Sequence, residues 1–456
     1  MKIVLYNHTY FFVNTRSSSS FSRPPLRPQI THLAQVSTLP NGLRVASCSM
    51  PASQTVAVGI WCAVGSRMET ARVGGVSHFL EHLLFKGTKK RTSRQISEEI
   101  EGVGGDLNAF TAEERTCYYA AASEDHFSGM SEVLADMYQH SLFDPAEIER
   151  ERGVIEEEIE MVRDEPAQYV HELLNEQTWK GHALARPITG TKKTLASITR
   201  ADLLDHLRGH YHAGRTIFTA SGAVEHEEVV KLASKLFAKL PKNSDGLRTL
   251  VQKPPAQQKS PIVFIEPKES QQSQVALSFR GLGSCDSGRH TVSLLHVILG
   301  GNMSSRLFQE LRERRGLCYS VSSSLSTHSD CGSFDISLGL DGENVMKALK
   351  LIFKECRRIA EKGVSAAELQ RACDYSIGTS RMALERAATQ NYRLGNSLLT
   401  HGKVIPPEEV YARLAKITRA EILAMAQKIF KMETLSLAMI GQGPTKEEIL
   451  KLVKSS

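Results

Sequence analysis

Residues 43–48 and 55–63 form short, largely apolar runs that read as strands. At 76–85 the apolar positions recur every three or four residues, which predicts a helix, and 93–103 carries a second amphipathic pattern that stops at Gly104-Gly105. Alternation at 106–111 and 116–121 predicts a strand pair. The run Asp144-Pro145-Ala146-Glu147 is a helix start, with Asp144 as N-cap, Pro145 at the first helical position and Glu147 placed to close a capping box. That helix should continue to about Arg163 and stop before Pro166. Strands followed by several helices, without strict β-α alternation, predict an α+β fold.

The pattern repeats. Residues 198–204 read ITRADLL and residues 417–423 read ITRAEIL, an offset of 219. The same offset sets 218–222 (FTASG) against 437–441 (LAMIG), and 57–60 (AVGI) against 276–279 (ALSF). A repeat unit of this size is a duplicated domain, not a solenoid module. The expected organisation is a leader over 1–35, an N-terminal catalytic domain over 36–240, a linker over 241–261 rich in Pro, Lys, Gln and Ser, and a homologous C-terminal domain over 262–456. The predicted architecture is two homologous layered α/β-sandwich domains related by internal duplication.

Composition narrows the class. With 41% hydrophobic and 23% charged residues, the chain has a globular profile. The net charge of +6 is dispersed and forms no dense basic stripe interleaved with aromatics, so no nucleic-acid partner is expected. No apolar run is long enough to span a bilayer, so no transmembrane segment is expected. The cysteines form no C-x-x-C pair and read as reduced thiols; Cys48, Cys62 and Cys117 fall in strand-like runs as small core residues. Residues 1–68 contain no Asp or Glu, and 16–27 are rich in Ser, Arg and Pro. A transit peptide has that composition, but Pro24, Pro25 and Pro28 oppose an amphipathic helix. A cytoplasmic location is expected, with the mitochondrial matrix as the alternative.

The candidate chemistry lies in His78-Phe79-Leu80-Glu81-His82. On a helix, residues four apart share one face, so both imidazoles reach one ion. Glu81 stands beside that face, free to take a proton from water that a metal has acidified. The pattern is H-x-x-E-H, the reverse of H-E-x-x-H. A third protein ligand is required, and the acidic helix after 146 supplies candidates in Glu151, Glu157 and Glu158. Glu151 and Glu158, seven apart, share a face; Glu156, Glu157 and Glu160 read as a solvated surface.

Three segments in this order and spacing, GGVSHFLEHLLFKGTKKR (74–91), GGDLNAFTAEERTCYYA (104–120) and ERERGVIEEEIEM (149–161), resemble the pitrilysin/insulinase metallopeptidases, and most closely the processing-peptidase β-subunit branch of bacterial type. The resemblance implies one Zn2+ per chain, held by His78, His82 and Glu158, with Glu81 as base and Glu151 as an outer carboxylate that orients the site. It implies that Asn108, Ala109 and Phe110 lie on an edge strand to which a substrate peptide adds. In the second half, LRERRGLCYSV (311–321) resembles the Arg/Tyr motif of the family, which implies that Arg312 and Tyr319 contact the peptide and the scissile carbonyl. Val297 and Gly301 stand at the 219 offset from the histidines, so the second half does not repeat the metal chemistry. The implied function is a zinc metalloendopeptidase that cleaves short unfolded peptides or presequence-like segments in a closed chamber. The implied partner is a second chain, as a homodimer or as a heterodimer with a paralogous subunit. The alternative is a non-catalytic structural or assembly subunit.

Overall fold

The computed structural model describes residues 34–242 and 258–456. The first half contains strands β1 (Ala34–Thr38), β2 (Arg44–Ser49), β3 (Thr55–Cys62), β4 (Asp106–Thr111), β5 (Thr116–Ser123) and β6 (Thr216–Gly222). Its helices are α1 (Val76–Leu84), α2 (Ser93–Glu101), α3 (Phe127–His140), α4 (Pro145–Asp164), α5 (Pro166–Thr178), α6 (Lys192–Ser197), α7 (Arg200–His210) and α8 (His226–Leu236). The second half contains β7 (Ile262–Glu266), β8 (Ser273–Gly281), β9 (Cys318–Thr327), β10 (Gly332–Leu340) and β11 (Ser436–Ile440). Its helices are α9 (Arg289–Leu299), α10 (Val345–Lys362), α11 (Ala366–Leu384), α12 (Ala387–His401), α13 (Pro407–Lys416), α14 (Arg419–Ile429) and α15 (Lys446–Lys454).

The two sheets have one topology. The first runs β1-β2-β6-β3-β5-β4 and the second β7-β11-β8-β10-β9, so the second is the first without β1. In each, one parallel pair (β2 with β6, β7 with β11) joins an otherwise antiparallel ladder. Helices α7 and α14 start at Arg200 and Arg419 and end at His210 and Ile429, the 219 offset at both ends. The architecture is α+β, duplicated, as the repeat predicts.

Each sheet buries one face under helices of its own half. In the first half Val56, Val58 and Ile60 of β3 meet Phe79 and Leu83 of α1 and Leu134 of α3. The opposite faces are covered by exchange. Helix α12, from the second half, lies on β2, β3 and β6, where Leu394 and Leu398 pack with Ala46, Trp61 and Ile217. Helix α5, from the first half, lies on β8 and β11, where Val170, Leu173 and Leu174 pack with Ala276, Ala438 and Ile440. The two helices occupy the same place in the repeat, so the exchange is reciprocal. Gly395 makes the α12 contact possible: a Cβ there would lie 2.0 Å from Trp61 Cε2. The buried amide of Asn391 also donates to Ala57 O at 2.9 Å.

The local expectations meet the structure with small shifts. The helix expected over 146–163 is α4, and Asp144 is its N-cap. The capping box is not formed: the Asp144 carboxylate accepts from Ala146 N at 2.8 Å, one position nearer than a box requires. Strand β1 begins at Ala34, so the expected boundary at 36 falls inside a strand that pairs Ala34 with Cys48. A five-residue strand with polar, exposed positions lacks a strong alternating signal. The rest of the expected leader, and 243–257 of the expected linker, lie outside the described residues.

Candidate metal centre

Helix α1 has two faces. Val76, Phe79, Leu80, Leu83 and Leu84 recur at helical spacing and are buried in the first core. His78, Glu81 and His82 fall on the opposite side, toward α4 and β4. Helix α4 is anchored by buried Ile148, Ile155 and Ile159, and the same stripe carries Glu151. Crossing α1, it brings Glu158 to the two imidazoles.

His78, His82 and Glu158 each offer one ligand atom, all within 4.8 Å of one another. Glu158 Oε2 lies 3.8 Å from His78 Nε2 and 3.7 Å from His82 Nε2. These separations are too long for hydrogen bonds. Two ligands on a tetrahedral ion, each bonded at about 2.0–2.1 Å, stand about 3.3–3.4 Å apart. These two gaps exceed that by a few tenths of an ångström, and all three ligand atoms lie within 4.8 Å of one another, within reach of side-chain rotation onto one ion. Glu158 Oε2 and His78 Nδ1 are buried without a hydrogen-bond partner. A buried carboxylate oxygen left without a donor is costly, and a cation between the three groups removes that cost. The donor set of two imidazoles and one carboxylate fits zinc.

The surroundings favour ligation. Burial first, and then the neighbouring His82, push the His78 imidazole down to about 3, which keeps it neutral. His82 Nδ1 lies 3.2 Å from Glu151 Oε2, a contact that leaves Nε2 facing the cluster. Lys86 holds the other Glu151 oxygen at 2.7 Å. Burial opposes ionisation of Glu151, but the bonds from His82 and Lys86 outweigh it and hold its carboxyl below the usual range. Burial raises the Glu158 carboxyl, with the His82 charge opposing.

Glu81 sits beside the cluster without joining it. Its Oε2 accepts the Thr111 hydroxyl at 2.5 Å, which fixes the carboxylate against β4. Burial raises its pKa; Thr111 and His82 oppose the shift, and the Glu158 charge adds to it. A carboxylate moved upward is a better proton acceptor at neutral pH. Thr111 and Lys86 escaped the sequence reading. Lys86 lies four residues beyond His82, at the right spacing, but Thr111 gives no local signal.

The other sequence candidates divide. Strand β4 is an edge of its sheet, which leaves one hydrogen-bonding side without a neighbouring strand. Ala109 packs with the first core, on the α1 side. Phe110 faces the other way, 5.8 Å from Trp61 and 6.1 Å from Tyr392 between ring centroids. Its side chain therefore supports α12 rather than the cluster. Asn108 is exposed, and its side-chain oxygen accepts the Ala109 N–H at 2.9 Å. Arg312 and Tyr319 are brought together, with the guanidinium 4.9 Å from the ring centroid. Tyr319 is 74% exposed, not a core tyrosine. Among the described residues, no hydrogen bond or ion pair links either to the histidine cluster. On α4, Glu147 pairs with Arg150, Glu149 with Arg152, and Glu160 with Lys192, so much of the acidic run is neutralised within the chain.

Comparison with known proteins matches the chain to two family profiles, whose boundary falls within the first half, before α7. A profile described as insulinase (peptidase family M16) matches residues 44–192, and one described as the peptidase M16 inactive domain matches 197–375. The chain is similar to an uncharacterized zinc protease of Streptomyces coelicolor, 37% identical over 415 residues, which cover 89% of this chain and 88% of that protein. It is also similar to an uncharacterized zinc protease of Bacillus subtilis, 34% identical over 404 residues, covering 89% and 97%. In fold it resembles a protease from Helicobacter pylori, with a TM-score of 0.85 at 20% identity, covering 90% of this chain and 100% of the other. Among the described residues, no helix is long and apolar enough to cross a membrane.

Proposed function

The chain belongs to peptidase family M16, the insulinase family, and on that premise we propose that it is a zinc-dependent endopeptidase acting on short unfolded peptides or presequence-like segments within a chamber. The observation that carries the reading is the convergence of His78, His82 and the partnerless Glu158 oxygen, with Glu81 held beside them. His78, His82 and Glu158 hold the ion, and Glu151 orients His82. A zinc ion bound there supplies Lewis acidity, polarising the scissile carbonyl and easing the deprotonation of water. Glu81 accepts the proton of the attacking water and returns it to the leaving amine nitrogen. Thr111 keeps the Glu81 carboxylate aimed during both transfers.

The free side of β4, through Asn108, Ala109 and the Phe110 backbone, takes the peptide as an added strand, which reads extended conformation more than sequence. The exposed pair Arg312 and Tyr319 completes the peptide site, Arg312 by holding a carbonyl and Tyr319 by donating to the developing oxyanion. Because neither touches the cluster within this chain, the reading includes a second chain, either a like copy or a paralogous subunit. The compartment is proposed to be the cytoplasm, as the relatives are bacterial.

The test is cleavage of an unstructured fluorogenic peptide by the purified chain, with zinc measured in the same sample. Activity should vanish with chelator and return with stoichiometric zinc. A fully zinc-loaded chain, alone and with its partner, that cleaves no peptide would instead make it a structural subunit.

A further inference from the structure

Helix α1 is capped from outside itself. Its N-cap is Gly75, at φ 96° and without a side chain. A larger residue is excluded, because a Cβ would meet Thr189 O at 2.5 Å. The first N–H groups of a helix have no partner within it. In several other helices a short side chain at the N-cap supplies one, as Thr92 does for α2, Thr199 for α7, Ser365 for α11 and Thr418 for α14; in others, such as α9 with Gly288 at its N-cap, no N-cap side chain does. At α1 the acceptor comes from outside the helix. Glu69 Oε2 accepts Gly75 N at 2.7 Å, and Glu69 Oε1 accepts Ser77 N at 2.8 Å.

Glu69 is 3% exposed, and the loop that carries it is held on both sides. Arg186 donates to Ser66 O at 3.2 Å and to Glu69 O at 2.7 Å. The neighbouring Arg67 binds Glu114 of the β4–β5 turn and Asp330 of the β9–β10 turn, each at 2.7 Å. A carboxylate that grips two N–H groups fixes both the axial position and the rotation of a short helix; a single bond would leave it free to swivel. Ser77 directly precedes His78, so any rotation of α1 carries His78, Glu81 and His82 away from Glu158, which is fixed separately on α4.

We propose that Glu69 is a positioning residue of the reaction: its two hydrogen bonds to the first turn of α1 hold His78, Glu81 and His82 in register with Glu158. This rests on the zinc-peptidase reading.

The test compares Glu69→Gln with Thr92→Ala, which removes the cap of a helix outside the cluster. Zinc affinity is measured by competition with a chromophoric chelator, alongside kcat, KM and Tm. Glu69→Gln should weaken zinc binding about ten- to hundredfold, as loss of an orienting partner does. Its kcat should fall while KM stays within about twofold. Thr92→Ala should lower Tm and leave zinc affinity and kcat unchanged. Glu69→Asp keeps the charge but draws the carboxylate back by one methylene, so it should show an intermediate loss; if Glu69→Gln does not fold, Glu69→Asp against Thr92→Ala decides. Wild-type zinc affinity and kcat in the folded Glu69 variants, or losses no larger than in Thr92→Ala at equal Tm, overturn the proposal while the peptidase reading stands. A wild-type chain that binds no zinc overturns both.

Discussion

The pairs α1–α4 and α9–α11 occupy the same place in the two halves, but their contents differ. In the first, an apolar stripe faces the sheet while His78, Glu81, His82, Glu151 and Glu158 meet between the helices. In the second, α9 ends at Leu299, before Gly301, and Val297 is buried in the core. At the 219 offset, Gln370 and Ile377 stand on α11 where α4 has Glu151 and Glu158. The space between these helices is a groove of about 650 Å³, with Val297, Met303, Ala372 and Tyr375 among its apolar lining and Glu368, Arg371 and Asp374 among its polar lining. The scaffold therefore needs only the apolar stripe, which both halves keep. The proposed chemistry would rest on a few side chains on the other face, which the fold does not require and which only one half carries.

The sharpest test of that contrast is Glu81→Gln, which keeps the donor set and removes the proton acceptor. It should retain zinc and lose about 10²–10⁴-fold in kcat. Near-wild-type turnover by the zinc-loaded variant would remove Glu81 from the mechanism. Next is metal content: one zinc per chain is expected, falling toward zero in His78→Ala, His82→Ala and Glu158→Ala, with Glu151→Gln weakened about ten- to hundredfold. Two zinc ions per wild-type chain would break the comparison outright.

The reciprocal exchange makes the halves alike in another respect. Leu174→Ala on α5 and Leu394→Ala on α12 should each cost about 2–5 kcal/mol, as truncation of a buried leucine does. Both should lower one shared unfolding transition. Two transitions that move separately would mean that the halves are stabilised independently.

Acid should also act on the first half. Burial, the largest cause in each case, lowers His78 and His206 to about 3 and His210 to about 4, from an ordinary 6.5. Below pH 6.5 the unfolded chain binds protons that the folded chain refuses. The stability present above about 6.5 is therefore lost as the pH falls toward these depressed values. Glu69, which burial raises to about 7, acts in the opposite sense but is a single group, so thermal melts of the zinc-free protein between pH 7.5 and 4.5 should show a net falling Tm from the three imidazoles, and a flat profile would contradict the assignment. The smallest effect on stability is expected from Tyr319→Phe. Its exposure predicts an unchanged Tm, with kcat lowered about 10²–10³-fold, as removal of one oxyanion donor does. Unchanged kcat would remove Tyr319 from the peptide site.

Much of this was legible in the sequence because it is local or repeated. The His78–His82 spacing, the start of α4 at Asp144 and Pro145, the shared face of Glu151 and Glu158, and the 219 offset all follow from helical period and side-chain chemistry, which neighbouring residues set among themselves. Other features join residues far apart, and no local period encodes them. The approach of Glu158 to two imidazoles on another helix, the Thr111 bond to Glu81, the turning of Phe110 toward Trp61 and the cap of α1 by Glu69 depend on which faces meet once the core has closed. The exchange of α5 and α12 is the clearest case. Each has an apolar face that any sheet of this topology would accept. Only the packed chain, with Gly395 against Trp61 and Asn391 bonded to Ala57, decides that each helix covers the sheet of the other half.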